Sequence, residues 1–385
     1  MLKSNRSFGW QVALFVLNRT GMNTAIRMVY PFLSIFAAGL GISIETISLA
    51  LFARAFTGVI APLVAPLADR ASRKVSMLLG MVVFTLGSLL PIFSPAFGWF
   101  VVSMMLMNLG VFIFLPAMQA YIGDRVSYAR RGLVLGLTEL SWSLSTILGV
   151  PIVAALIASG GWQAPFPYLA GFGGLMILLL ALLVPNVPPD HRPTGSLFSS
   201  LGIVLRSPQA LTLLGMGLCF TLGNEVINLL FGVWLGDRFS LQIGALGAVA
   251  ALIGIAELGG EGLSSWLADK VGKVVAVRIG VFGNILSALA LVLFGQWQWG
   301  AILALFLFYL SFEFMLVSSL PLISEVIPQA RATLMAVNIM FFSLGRSLGA
   351  VGAPWLYGAG FWVNAVAAIG LNLVGLWLLG RVKLK

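Results

Sequence analysis

Twelve apolar runs of about twenty residues or more leave this chain few ways to fold. They lie near 13–39, 44–66, 75–94, 98–121, 133–157, 162–184, 209–235, 242–264, 276–295, 299–322, 333–356 and 359–380. A helix needs about 20 apolar residues to cross the roughly 30 Å hydrocarbon layer of a bilayer. The runs are continuously apolar and lack the alternation of a membrane barrel strand. Their lengths predict an all-α membrane protein with twelve transmembrane helices. At about 20 residues each the spans take roughly 240 positions of the 385, which excludes a large soluble catalytic domain. Composition agrees, with 60% hydrophobic and 9% charged residues against about 25% charged in soluble domains.

The net charge of +10 comes from 22 Lys plus Arg against 12 Asp plus Glu. Nucleic-acid binding would need a solvated basic surface; these charges gather at the ends of the runs, so no nucleic-acid partner is expected. Lys3, Arg6, Arg70, Arg73, Lys74, Arg125, Arg130, Arg131, Arg192, Arg206, Lys270, Lys273, Arg278, Arg331, Arg381, Lys383 and Lys385 fall on one side, and only Arg238 falls in a loop on the other. Seventeen against one places both termini in the cytoplasm by the positive-inside bias. Trp99, Trp162, Trp234, Trp297, Trp299, Trp355 and Trp362 lie near the opposite boundary, where an amphipathic ring is favoured. The head MLKSNRSFGW resembles the charged region of a signal peptide. No small-residue cleavage site follows and the run is too long, so it reads as a retained first helix. Cys219 is the one cysteine; it permits neither an intrachain disulfide nor a CxxC pair and reads as packing.

The longest polar interval, 185–208, divides the chain into a six-helix bundle over 1–184, a cytoplasmic linker, and a second six-helix bundle over 209–385. Its segment LFSSLGIVL suits a short interfacial helix. His191, the only histidine, sits there between Asp190 and Arg192 and reads as a solvated linker residue, because a metal site needs more ligands. The two halves echo each other at an offset of 200 residues: APLADRASRK at 65–74 against SWLADKVGKV at 265–274, and Arg131 against Arg331. Such a repeat predicts a pseudo-twofold molecule whose bundles enclose a central path.

These residues resemble the major facilitator superfamily of secondary transporters, and in particular its bacterial small-molecule and drug exporters. The family signature after helix two runs approximately GxLaDrxGrk. Leu67, Ala68, Asp69, Arg70, Arg73 and Lys74 match, with Ala65 and Ser72 in place of glycines; Leu267, Ala268, Asp269, Lys270, Gly272 and Lys273 match in the second copy. An acid in so tight a hairpin can accept from free amides at a helix start, and its basic neighbours can meet anionic lipid. The resemblance implies that Asp69, Arg73, Asp269 and Lys273 stabilise one access state.

Nine further ionisable residues lie in or at the edges of the runs: Arg19, Arg27, Arg54, Glu139, Glu225, Glu257, Glu261, Glu313 and Arg346. Each costs about 2.5–3.5 kcal/mol at a helix centre, so each is expected to face protein or water. Helices three, six, nine and twelve carry none of them. The resemblance implies the same division, with helices one, four, seven and ten lining a cavity, two, five, eight and eleven at the interface, and the rest outside. At 1.5 Å per residue, Arg27, Arg54, Glu313 and Arg346 fall near mid-membrane and Glu225 towards the outer side. Glu225 and Glu313 are the substrate or coupling candidates among the acids. Desolvation favours their neutral form and a nearby arginine the charged one, so either could exchange a proton; the competing reading is a permanent pair with Arg346 or Arg27.

Arg27, with Asn23 one turn earlier on the same face, is the basic candidate, able to hold a carboxylate or phosphate bidentately. Pro31 is expected to bend the outer half of that helix. Arg54, Arg346, Arg131, Glu139, Glu257 and Glu261 read as interface or gating residues. One departure from the family bears on mechanism: its drug and proton antiporters carry an arginine in helix four, RxxqG, and here LMNLG puts Leu106 in that place, with Asn108 the nearby polar residue.

The expected function is secondary active transport of a small molecule by alternating access, as a proton-coupled exporter or antiporter of the bacterial cytoplasmic (inner) membrane. The alternative is a uniporter or importer of a small organic anion bound by a membrane-embedded arginine. No enzyme is expected, since neither His191 nor Cys219 has a catalytic partner at compatible depth and no Walker or Rossmann motif is present. No metal, organic cofactor or obligate protein partner is implied; the expected partners are the substrate, protons and membrane lipids.

Overall fold

The computed structural model describes residues 5–68, 72–186 and 197–382, and these are all-helical. The helices are α1 (Asn5–Arg27), α2 (Leu33–Leu40), α3 (Ile44–Ala68), α4 (Arg73–Phe93), α5 (Phe97–Arg125), α6 (Tyr128–Leu144), α7 (Val150–Gly160) and α8 (Pro165–Leu183). Further along come α9 (Leu197–Leu205), α10 (Pro208–Asn228), α11 (Phe231–Phe239), α12 (Ile243–Val271), α13 (Lys273–Phe294), α14 (Gln298–Ser324), α15 (Arg331–Tyr357) and α16 (Phe361–Arg381). Helix α9 is the short helix expected within the linker; His191 and its neighbours lie outside the described residues.

Among the described residues ten helices are long and apolar enough to cross a membrane, and α2 with 44–60, meeting at 109°, would make an eleventh. Helix α1 is not among the ten, because Asn18, Arg19, Asn23 and Arg27 interrupt its apolar surface. The first run, expected as one bent helix, is broken outright: α1 ends at Arg27 and turns occupy 28–32. Pro31 accounts for this, since its ring excludes helical backbone at the residue before it and removes an N–H. Helix α2 ends in a left-handed glycine, Gly41 at φ 65°. There the amides of Gly41 and Ile42 cap the carbonyls of Ala38 and Ala37, as a positive φ at glycine allows. Ser43 then starts α3 by accepting from the Thr46 amide at 3.2 Å.

The seventh run is irregular in the matching place, with a turn at Leu229–Leu230 between α10 and α11 where the backbone stays right-handed and 208–239 still forms one span. The fifth run is continuous through a wide-turned stretch at Ser145–Gly149. Pro151 follows that stretch, and its ring would press on the carbonyl one turn back in a regular helix. Between α12 and α13 the connection is shorter than expected: α12 runs through Asp269 to Val271, and Gly272 at φ 87° makes the turn alone. Only glycine takes that conformation without strain.

By proximity the chain forms two compact units. Met1–Val29 with Ile60–Pro193 make one, and Tyr30–Val59 with Thr194–Lys385 make the other. The expected bundles are divisions along the sequence; proximity places 30–59 in the unit that holds the second half. In the first unit α4 and α5 touch backbone to backbone, a Cβ at Gly80 falling 2.8 Å from the Gly110 oxygen and one at Gly110 2.6 Å from the Gly80 oxygen. In the second, α15 closes on α10 at Gly345 and α12 on α14 at Gly260, where a Cβ would fall 2.6 Å from the Leu218 oxygen and 2.4 Å from the Leu310 oxygen. Leu213, Phe220, Val281, Phe312, Met315 and Leu334 contribute to that unit's apolar core.

Candidate functional site

Glu225, near the end of α10, is 1% exposed. Its Oε1 accepts from the Tyr30 hydroxyl at 2.9 Å and its Oε2 from Asn228 Nδ2 at 3.5 Å. The same Tyr30 oxygen accepts from Arg54 Nη2 at 2.5 Å, and the guanidinium stands 5.0 Å from the Tyr30 ring centre. At the other end, the Tyr309 hydroxyl donates to Asn228 Oδ1 at 2.7 Å. A hydrogen-bonded chain thus runs Arg54, Tyr30, Glu225, Asn228, Tyr309, within one compact unit.

Each member is placed by a local feature. Tyr30 precedes Pro31 and is held in the non-helical turn; Arg54 comes from α3 and is 3% exposed. Asn228 shares a helix face with Glu225 at a spacing of three. Tyr309 on α14 is set by edge-on contacts with Phe231 and Phe308 at 6.2 and 5.8 Å between ring centres. Gly349 admits α15, since a Cβ there would fall 2.6 Å from the Glu225 Cβ. Arg346, one turn earlier, is thereby within electrostatic reach of the carboxylate, as Arg54 is. A carboxylate removed from water needs such compensation.

The first unit carries a separate seam between α1 and α6. Arg19 binds Glu139 bidentately, Nη1 to Oε1 at 2.8 Å and Nη2 to Oε2 at 2.9 Å, and donates to the Thr138 carbonyl at 2.8 Å. One turn on, Asn23 Nδ2 donates to Ser141 Oγ at 3.4 Å, and Thr24 Oγ1 to the Ser145 carbonyl at 3.4 Å. Arg27 follows, 8% exposed, with its guanidinium 4.3 Å from the centre of a Trp142 ring. Asn23 and Arg27 therefore share the face that meets α6.

Glu257 and Glu313 are buried on α12 and α14. The helices meet beside them, where a Cβ on Gly260 would lie 2.4 Å from the Leu310 oxygen and 3.0 Å from the Glu313 Cβ. Glu261 is half-buried one turn further along α12, and Asp269 is exposed in its last turn. Arg131 is exposed and donates to the Val126 carbonyl at 3.0 Å. Asp69 and Arg70 lie outside the described residues. Arg73 pairs with Asp124 at 3.6 Å, and Lys273 with Glu325 at 2.5 Å.

Sequence reasoning brought forward Glu225, Arg54, Arg27 and Arg73 but missed several of their partners. Pro31 registered as a bend but its neighbour Tyr30 did not, nor did Asn228, Tyr309, Trp142, Asp124 and Glu325. Asn228 had a usable signal, its spacing of three from Glu225; the others are brought in from distant helices and had none.

Long apolar helices that bury mutually bonded charges point to the class: an integral membrane transporter. The chain belongs to the Major Facilitator Superfamily, whose family model matches residues 15–350. It is 26% identical to the MFS-type transporter YwfA of Bacillus subtilis, over 84% of this chain and 78% of that one. It is 22% identical to the quinolone resistance protein NorA of Staphylococcus aureus, over 91% and 90%. Among solved structures, the inward-facing, unoccupied bacterial homologue of the human lysosomal transporter Spinster superposes with a TM-score of 0.73 at 15% identity, covering 98% of this chain and 95% of that one. The relatives are transporters, not enzymes, and so is this protein.

Proposed function

We propose that the protein is a proton-coupled exporter of an amphipathic small molecule, working by alternating access in a bacterial cytoplasmic membrane. The observation that carries this reading is Glu225, 1% exposed yet bonded through Tyr30 and Asn228. A protonated carboxyl group keeps acceptor capacity on its oxygens, so the Tyr30 hydroxyl and Asn228 Nδ2 are not orphaned when a proton arrives. Two guanidinium groups within electrostatic reach hold the charged form when the proton leaves. A group stable in both states at membrane depth is what proton exchange requires.

In this reading the chain crosses the membrane twelve times with both termini in the cytoplasm, in bundles of 1–184 and 209–385. Glu313, buried on α14, is the second candidate acid for coupling, and Arg27 and Asn23 of α1 are the candidates for holding an anionic group of the substrate. The charged hairpins also meet anionic lipid headgroups. Leu106 stands where the family's antiporters place an arginine, and Arg54 and Arg346 take over as the cations beside the proton site. The likeness to NorA, a quinolone resistance protein, supports export of amphipathic compounds.

The test uses purified protein in liposomes with an internal pH dye, an imposed pH gradient and a pooled metabolite and drug library. Substrate-triggered pH change in the parent, lost in Glu225→Gln or Glu313→Gln, is the expected outcome. Labelled-substrate flux with no pH change would overturn proton coupling and favour facilitated transport of an anion on Arg27.

A further inference from the structure

We propose that Tyr30 is the positioning residue that couples protonation of Glu225 to separation of α2 from α11, making the carboxylate the latch of a gate as well as the proton site. This rests on the proton-coupling reading and adds the moving part. Two independent features of the same unit meet here. The first is a backbone seal: α2 packs against α11, and a Cβ on Gly232 would fall 2.4 Å from the Pro31 oxygen and 2.7 Å from its Cα. The second is the Tyr30–Glu225 bond, made by the residue next to Pro31 and by a residue two turns before Gly232. Seal and latch therefore occupy the same two chain segments.

Those segments are suited to part. Helices α2 and α11 have 8 and 9 residues; α2 is joined to α1 by the turn at 28–32, while α11 continues α10 through one helical irregularity at 229–230. Helix α2 can therefore shift as a rigid piece about its break against α11, as hinged elements do.

The direction of the hydrogen bonds supplies the coupling. Arg54 donates to Tyr30 and Tyr30 to Glu225, so one phenol hydroxyl, accepting on one side and donating on the other, connects a cation to an anion. When a hydronium ion passes its proton to the carboxylate, an O–H bond forms on Glu225, water is released, and Tyr30 then faces a neutral acid. A bond to an ionised acceptor is roughly twice as strong as a neutral one, so the latch weakens without being abolished, and the population shifts towards parted helices. The groups that act on Glu225 from its surroundings are Arg54 of α3, Arg346 of α15 and the Tyr30 turn. Helix α14 reaches it through Tyr309 and Asn228, and α16 presents Asn364, which does not titrate, to the Val226 carbonyl.

The experiment places nitroxides at Ala38→Cys on α2 and Gly236→Cys on α11 in a Cys219→Ser background, which leaves no native thiol. Both label sites are open: Ala38 is exposed, and a Cβ at Gly236 meets nothing within 4 Å. Pulsed electron–electron distances are recorded from mildly alkaline to mildly acid pH. The parent is expected to gain a longer component as the pH falls, Glu225→Gln to show it at every pH, and Tyr30→Phe to show it with no pH response. The phenylalanine keeps the ring beneath Arg54, so a tyrosine that merely fills space would leave the parent's distances and pH response in place, and that result overturns the proposal. If Tyr30→Phe does not fold, Glu225→Gln decides alone: distances that still follow pH as in the parent overturn it. The liposome assay separates the two ideas, because a pH-driven gate in a protein whose flux moves no protons would leave the latch standing and remove the coupling.

Discussion

The Arg19–Glu139 pair shows how exposure, more than distance, decides what a charged residue contributes. Both bonds are short, but the arginine side chain is 9% exposed and the glutamate 48%. Removing the glutamate strands a guanidinium among the Thr138 acceptors; removing the arginine leaves a carboxylate that water can reach. Breaking a pair so as to orphan the buried member is the costly direction. Glu139→Ala is therefore expected to destabilise the protein by about 1.5–3 kcal/mol, the range for hydrogen bonds to charged groups, and Arg19→Met by less, since it also removes a buried charge. Thermal unfolding of the two variants in detergent gives the order, and an equal or larger loss for Arg19→Met would show that Glu139 is the member that depends on the pair. By contrast Glu225 carries its network at a depth where neither direction is cheap, which suits a site of function better than one of stability.

At the scale of elements, the broken span and the irregular one have different origins, and that explains which of them could be read in advance. Pro31 announces the break in the sequence. Nothing announces the irregularity: VINLLFGV is a uniform helical text. There the cause is tertiary. The Leu230 amide bonds the Ile227 carbonyl at 3.2 Å rather than that of Val226. The Val226 carbonyl instead accepts from Asn364 Nδ2 at 2.8 Å, and the Ala353 carbonyl accepts from the same nitrogen at 3.0 Å. A buried carbonyl left without a donor costs about 1–3 kcal/mol, so Asn364→Leu, which matches the volume but donates nothing, is expected to lower the unfolding temperature clearly. It should also change hydrogen exchange at Leu229 and Leu230 more than at the far end of α10. Unfolding and exchange like the parent's would mean that α10 turns irregular for some other reason. The hairpin after α12 was legible in its residues but not in its length: Gly272 marks the turn, while the charged SWLADKV text hid seven more helical residues, 265–271.

At the scale of the whole molecule the sequence echoes itself at an offset of 200 residues, and two ion pairs show both what that echo discloses and where it slips. Arg73 and Lys273 stand 200 positions apart and each opens the helix after the hairpin, so the sequence exposed them. Their acids are Asp124 and Glu325, 201 apart; at the repeat's own offset Asp124 faces Ser324 and the match is lost. Each pair joins the start of one helix to the end of the next, α4 to α5 and α13 to α14, inside its own unit. Their acids are 42% and 53% exposed, and exposed pairs contribute about 0–1 kcal/mol. Neither pair can therefore be a main source of stability, and a change in transport on breaking one reports on the access state rather than on folding. Arg73→Asp and Lys273→Glu should each leave thermal unfolding within about 1 kcal/mol of the parent while slowing pH-gradient-driven flux in liposomes. The swaps Arg73→Asp with Asp124→Arg, and Lys273→Glu with Glu325→Lys, should restore the flux. Recovery in both halves would make the pairs equivalent clasps of the two repeats; recovery in one alone would make that copy the working clasp; and single variants that transport like the parent would reduce both pairs to charges that orient the chain in the membrane.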